Sequence, residues 1–381
     1  MGDSKRYFNN STTTLRTIPN PRQELIASLT KLVRHCPPLN YRGRIGRAKG
    51  LFTGPTSIAY LFLRLSNTHP DLRIERHTPR EWCLAYLDSD SSNLPHARGL
   101  TGWGIENEFL AYNAVKAAAA QDSSAVKKLL DAIATEFHNC PSGDNEFFAG
   151  RAGTLALLRI AQWYTPEEAD EMISASMQEL TSHILKHAPW SFHGKTYIGA
   201  AHGVIGIITQ LVLSDHNLGK NDLVEEQLLG LLNLQRPDGH WPTTDDSTRG
   251  KSELVQYCHG SPGFVMSLVR IRPFVRPELQ SRIESAVERG RREIWEKGLL
   301  RKEPNLCHGI TGNMLALESW AQREHFMAYA TMEGIEQGIA DGHFVPGDDA
   351  CGLFWGEAGR SWGWMMIDAK LDLGFPGYTD I

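Results

Sequence analysis

Cys258-His259-Gly260-Ser261-Pro262-Gly263 and Cys307-His308-Gly309-Ile310-Thr311-Gly312 are near copies of one another. Each sets a thiol and an imidazole ahead of a Gly-x-x-Gly, and an apolar run follows. Such a bend reads as chain turning tightly into a helix, because glycine admits backbone angles and close approaches that other residues resist. Working outward, the bend recurs as Gly99-Leu100-Thr101-Gly102, Gly150-Arg151-Ala152-Gly153, Gly203-Val204-Ile205-Gly206 and Gly356-Glu357-Ala358-Gly359. Gly54-Pro55-Thr56-Ser57 is a degenerate first copy, with Ser57 where the second glycine belongs. Successive first glycines stand 45 to 57 positions apart, so seven units of about 50 residues fill nearly the whole chain. A fixed period of this length marks a repeat architecture.

Each unit reads as two helices. The runs after the bends, such as Ile58 to Leu65, Leu155 to Trp163 and Val204 to Leu213, are apolar on most faces, as buried inner helices should be. Between them lie amphipathic segments with one solvated face, clearest at Gln23–Val33, Ser124–Phe137, Pro166–His187, Asp222–Leu234 and Pro277–Trp295. Strand-type alternation is scarce. The expected fold is all-α: an α/α toroid, a double helical barrel of seven inner and seven outer helices. It forms one domain over residues 1–381, with a short polar N-terminal segment of about 20 residues. An open solenoid of helical pairs is the competing arrangement, but it normally shows shorter repeats and polar caps.

The chain has 381 residues and a net charge of -5, and no concentrated basic stripe of the kind that binds nucleic acid. It contains no apolar run of the length a transmembrane helix needs, and residues 1–20 lack the apolar core of a secretory signal. Gly2 invites a myristoylation reading, but Arg6 stands where Ser or Thr is wanted. These features point to a cytoplasmic protein, with the nucleus and the membrane periphery left open. With no export signal, the six cysteines are expected as reduced thiols. Four of them, Cys36, Cys83, Cys140 and Cys351, are read as simple packing.

Cys258, His259, Cys307 and His308 carry the chemistry. Thiolate and neutral imidazole are the usual sulfur and nitrogen donors of zinc, and inward-facing bends would bring the two pairs together. On residue type alone, His259 is a candidate fourth ligand, which would close the site, and other soft-site metals fit the same donors. His202 follows Tyr197-Ile198-Gly199-Ala200-Ala201 at the fourth bend. That bend places it on the same rim, where an imidazole can trade protons near neutral pH.

Taken together these motifs resemble the LanC-like proteins, eukaryotic relatives of the bacterial lanthionine cyclases. The resemblance rests on Gly199-Ala200-Ala201-His202-Gly203, the two Cys-His-Gly motifs in order and spacing, Leu353-Phe354-Trp355-Gly356, Arg6-Tyr7-Phe8-Asn9-Asn10 near the start and Phe375-Pro376 near the end. It spans almost the entire chain. The family fold is a double α-barrel of seven inner and seven outer helices, in agreement with the repeat count.

What the resemblance implies is specific. Zinc would be held by Cys258, Cys307 and His308, with His259 near the metal but unligated. Three protein ligands leave a fourth position open, the catalytic pattern. His202 would be the active-site imidazole. Glu146 stands where bacterial cyclases carry an active-site Asp and the eukaryotic relatives a Glu. Arg6 and Lys302 match positions that hold glutathione, and Arg151 is a weaker candidate. The implied activity is zinc-dependent addition of the glutathione thiol to dehydroalanine or dehydrobutyrine in proteins or peptides, a Michael-type thioether formation.

The chain departs from the family pattern in several places. Some relatives carry an Arg shortly before the seventh bend, where this chain has the acidic stretch His343-Phe344-Val345-Pro346-Gly347-Asp348-Asp349. Trp355 replaces the usual Glu. Leu254 stands where the bacterial enzymes have an Arg before the first zinc Cys, which argues against a dedicated lantibiotic cyclase acting on a dehydrated peptide. The aromatic segment Gly239-His240-Trp241-Pro242 is read as a cover for the site mouth or an ordinary loop. The main alternative function is a non-catalytic, glutathione-binding zinc adaptor. A helical-barrel glycosidase needs two opposed carboxylates, and neither Asp245-Asp246 nor Asp348-Asp349 has that spacing.

Overall fold

The computed structural model describes residues 5–10, 14–38, 49–91, 102–139, 144–164, 167–246, 253–347 and 349–381. Seven inner helices follow the seven bends: α2 (Pro55–Thr68), α4 (Glu108–Ala120), α6 (Arg151–Tyr164), α8 (Val204–Ser214), α10 (Ser261–Ile271), α12 (Ile310–Leu315) and α15 (Glu357–Ala369). Around them lie α1 (Pro21–His35), α3 (Pro79–Ser91), α5 (Ser123–Asn139), α7 (Glu167–Lys186), α9 (Asp222–Asn233), α11 (Pro277–Lys297), α13 (Trp320–Met327) and α14 (Met332–Ala340). Each inner helix packs on the next, and α15 returns to α2, so the ring closes into a toroid rather than an open solenoid. The outer layer has one helix more than expected, because the segment between the sixth and seventh bends breaks into α13 and α14. Ser319 and Thr331 each restart a helix there, and Thr331 accepts from Gly334 N. Among the described residues the extended chain makes only isolated bridges. The second bend's Gly99 to Thr101 and Cys140 lie outside the described residues.

Local sequence accounts for the elements. Asn20 caps α1 through Gln23 N with Pro21 in the first turn, and Asn221 caps α9 through Leu223 N and Val224 N. Every residue of α8 from Val204 to Val212 is buried. On α11 burial falls on Leu279, Ile283, Ala286, Val287, Gly290 and Ile294, one stripe of an outer helix. Each large apolar side chain in that stripe contributes about 1.5–3 kcal/mol relative to exposure. The second glycine of the bends has a steric cause. A Cβ at Gly312 would overlap the Leu306 carbonyl oxygen, and one at Gly263 would overlap that of Tyr257.

Two further features position the site. The last residues enter the barrel from its C-terminal-helix end. There Phe375 stacks on Tyr257 at 3.7 Å, Tyr378 Oη meets Ser267 Oγ, and Asp380 accepts from Tyr60 Oη and lies 3.7 Å from Arg64. The polar N-terminal segment straps across the outside. Phe8 N donates to Leu299 O, and Arg301 N to Arg6 O.

One cysteine expectation is corrected. Cys36 and Cys351 form a disulfide, with Cα atoms 6.5 Å apart, a separation that a bridge requires. They lie 315 positions apart in sequence, and only ring closure, which lays the end of α1 against the seventh bend, makes them neighbours. Cys83 is a buried free thiol, its pKa raised by burial to about 12.

Candidate metal centre

The fifth and sixth bends meet. Cys258 N donates to Cys307 O, and the ligand atoms of Cys258, Cys307 and His308 all lie within 4.8 Å of one another. The seventh bend braces them, with Leu306 N and Cys307 N both donating to Phe354 O. Asn305 Oδ1 accepts from His308 N and fixes the start of the motif. Both thiols are buried. The Cys258 thiol is held well below its ordinary range by a hydrogen bond from Cys307, with His308 next, against the opposing effect of burial. Cys307, as donor and buried, is pushed well up. Gln256 Nε2 adds a donor to Cys258 Sγ at 3.1 Å.

Beside the thiols stands an oriented imidazole. His202 Nδ1 lies 2.9 Å from Glu146 Oε2. Glu146 is 2% exposed and is fixed in turn by Phe148 N and Ala149 N. Burial lowers the His202 pKa, but the Glu146 hydrogen bond and charge outweigh it, and the net shift is upward. The ring is sandwiched: Phe192 stacks on it at 4.7 Å and 2°, and Phe148 meets it edge-on. Phe192 is delivered by a tight hairpin whose tip residues, His193 and Gly194, have φ of 48° and 71°, the signature of a type I′ turn. The His259 ring lies 6.3 Å from His202. Its Nδ1 is buried with no hydrogen-bond partner among the described residues, and burial lowers its pKa.

A cavity of about 560 Å³ opens beside His308 and Gln256, and its cationic lining comes from Lys5, Arg6, Arg301 and Lys302. No carboxylate lines it among the described residues. Lys302 reaches it because residues 301–303 run between the N-terminal strap and Val345: Val345 N donates to Arg301 O, and Glu303 N to Val345 O.

Arg151 is not brought here. It is 1% exposed, lies over the Trp103 ring at 5.0 Å and donates to Asn145 Oδ1, a role within the third bend. Nor does the Gly239–Pro242 segment cover the mouth. Trp241 is buried flat on Phe264 at 4.5 Å, and His240 Nδ1 meets Glu293 on α11, so the segment locks an outer helix. Trp355, in place of a carboxylate, packs on Phe52 and lies 5.9 Å from the His308 ring.

Phe192, Gln256, Arg301 and Glu106 are site residues that sequence reading passed over. Glu106 pairs with Lys49 at 3.6 Å, and burial raises its pKa on the His202 side of the rim. Only the His193-Gly194 turn signal was legible for any of them.

Residues 48–363 match the family model described as lanthionine synthetase C-like protein. Among curated proteins, the chain is 34% identical over 128 residues to glutathione S-transferase LANCL1 of Danio rerio, a stretch covering 32% of this chain and 30% of that protein. It is 30% identical over 202 residues to LanC-like protein GCL1 of Arabidopsis thaliana, covering 50% and 45% respectively. The matched stretches thus span less than half the length of either relative. Among solved structures, nisin cyclase superposes with a TM-score of 0.63 over 93% of this chain and 96% of that one, at 13% identity. This is a likeness of fold.

Proposed function

This chain belongs to the lanthionine synthetase C-like family, and on that premise we propose that it adds the thiol of glutathione to dehydroalanine or dehydrobutyrine residues of polypeptides. The observation that carries the reading is the Cys258–Cys307–His308 cluster opening on a cavity lined by cations and no carboxylates. Two buried thiolates and one half-buried imidazole, within reach of a common point, suit zinc. Held by these three side chains, zinc would offer a position to the incoming sulfur and lower that thiol's pKa.

The chain's own residues supply the rest. Arg6 and Lys302 hold the carboxylates of the tripeptide and so aim its cysteine inward. His259, next in sequence to Cys258, receives the thiol proton. The sulfur then bonds to the β-carbon, the π bond to the α-carbon breaks, and the α-carbon takes a proton from His202. Glu146 holds His202 Nδ1, so the proton handed over is the one on Nε2. Phe192 and Phe148 keep the ring in this plane. His259 then gives up its proton and His202 regains one through solvent, so the net change is one S–H added across one double bond.

The reading is tested by incubating the zinc-loaded protein with glutathione and a dehydroalanine peptide and weighing the products. A thioether adduct formed by the native chain and lost in Cys307→Ala supports the enzyme. Glutathione binding without any adduct would favour the adaptor reading instead.

A further inference from the structure

We propose that Arg301 binds one of the two carboxylates of glutathione, as the third cation of its clamp. The assignment rests on the proposed function and concerns a residue that neither motif nor spacing singled out.

The need arises from the acidic stretch before the seventh bend. In the fold, its described acid turns away from the cavity. Asp349 is engaged by Thr53 Oγ1, Cys351 N and Gly352 N. Among the described residues of the stretch, His343, Val345 and Pro346 line the wall, together with Gly342 before it. These add neither a carboxylate nor a strong cation, and a ligand with two carboxylates gains from a further partner.

Arg301 has the properties of that partner. Several buried arginines have polar partners: Arg360 meets Glu357, Arg323 meets Asp372 and Arg159 meets Gln210. Arg301, half-buried, has no carboxylate partner among the described residues. Its guanidinium lies over the Phe8 ring at 5.2 Å, and its Nε is buried with no hydrogen-bond partner among the described residues. A buried donor left unmet costs about 1–3 kcal/mol, which a carboxylate would recover with a two-pronged, charge-assisted contact. Its backbone is clamped on both sides, to Arg6 O and from Val345 N, so little ordering remains to be done on binding.

Arg301 also stands at a junction. With His343 it lines both the cavity at the metal ligands and a second one of about 390 Å³, walled by Phe8, Arg16, Tyr329 and Asp341. A tripeptide whose sulfur sits at the thiol pair has room to pass one arm toward this shared wall.

The experiment is calorimetric binding to the full, zinc-loaded chain of three thiols: glutathione, γ-glutamylcysteine and cysteinylglycine. Cysteinylglycine lacks the γ-glutamyl carboxylate, and γ-glutamylcysteine lacks the glycine carboxylate, its own C-terminal carboxylate lying one residue nearer the thiol. Arg301→Gln should weaken glutathione roughly tenfold to a hundredfold, the weight of a charge-assisted pair. It should weaken one dipeptide equally and leave the other nearly unchanged. Arg301→Lys, which keeps the charge and stem but loses the fork, should show the same selectivity with a smaller loss, and it serves if the Gln variant fails to fold. Native-like glutathione affinity in either folded variant overturns the assignment, as does equal loss on both dipeptides, which would mean a diffuse field effect. A native chain that binds none of the three thiols overturns the proposed function itself, and the assignment with it.

Discussion

At the residue scale the proposed chemistry centres on His202. A carboxylate buried to 2% holds one nitrogen of its ring and two aromatic rings hold its plane. Its raised pKa keeps the imidazole protonated above the usual 6.5. A general acid works only while protonated, so the rate should fall as pH rises through that raised value. Glu146→Gln removes the main support of the shift and should move the fall to lower pH, read from a pH–rate profile. His202→Asn should lower kcat by about 10²- to 10⁴-fold with zinc content unchanged, measured by elemental analysis. Loss of zinc in that variant would make His202 structural.

At the element scale the bends are the working unit. Five of the seven inner helices begin where a glycine lets the chain fold back on the carbonyl six residues before it, as Gly312 does on Leu306 and Gly263 on Tyr257. This contact places Cys307 and Cys258 just ahead of their helices and aims both into the ring. Gly312→Ala should therefore cost about 1–3 kcal/mol, the usual penalty of overpacking, seen in urea unfolding. It should also lower zinc affinity, because relief of the clash moves Cys307. Gly230→Ala, with nothing near its Cβ on the exposed face of α9, is the control and should be neutral or slightly stabilising. The register of the bends was readable in the sequence because steric demand for glycine recurs with the repeat. The split of the outer layer into α13 and α14 was not, since it depends on weak local caps rather than on period.

For the whole molecule, closure of the ring is what matters. The ring joins Cys36 to Cys351 across 315 positions and brings the fifth, sixth and seventh bends together at the thiols. Both cross-links should report on it. Reduction of the disulfide should lower stability by about 2–4 kcal/mol, and a Cys36→Ser/Cys351→Ser double variant should show no further response to reductant. Removal of zinc by a strong chelator should lower the melting temperature, since ligands from two inner helices lose their common tie. An unchanged melting temperature after complete metal removal would mean that the protein matrix alone holds the bends.

Glu146 and the choice among four metal-ligand candidates rested on the family resemblance, but by itself the amino-acid order determined the helical pairs, the sevenfold repeat, the two Cys-His pairs and His202 beside its bend. These are local or periodic properties, written in glycine spacing and in the residues beside each bend. The tertiary structure alone decided which charges face the cavity. It committed Arg151 to Trp103 and Asn145, turned Asp349 inward to its own bend, buried Trp241 under an outer helix and left Arg301 at the cavity wall with no carboxylate partner among the described residues. The reason is physical: a side chain's charge says what it can bind, but the partner it meets is set by contacts hundreds of residues away, and those exist only once the ring has closed.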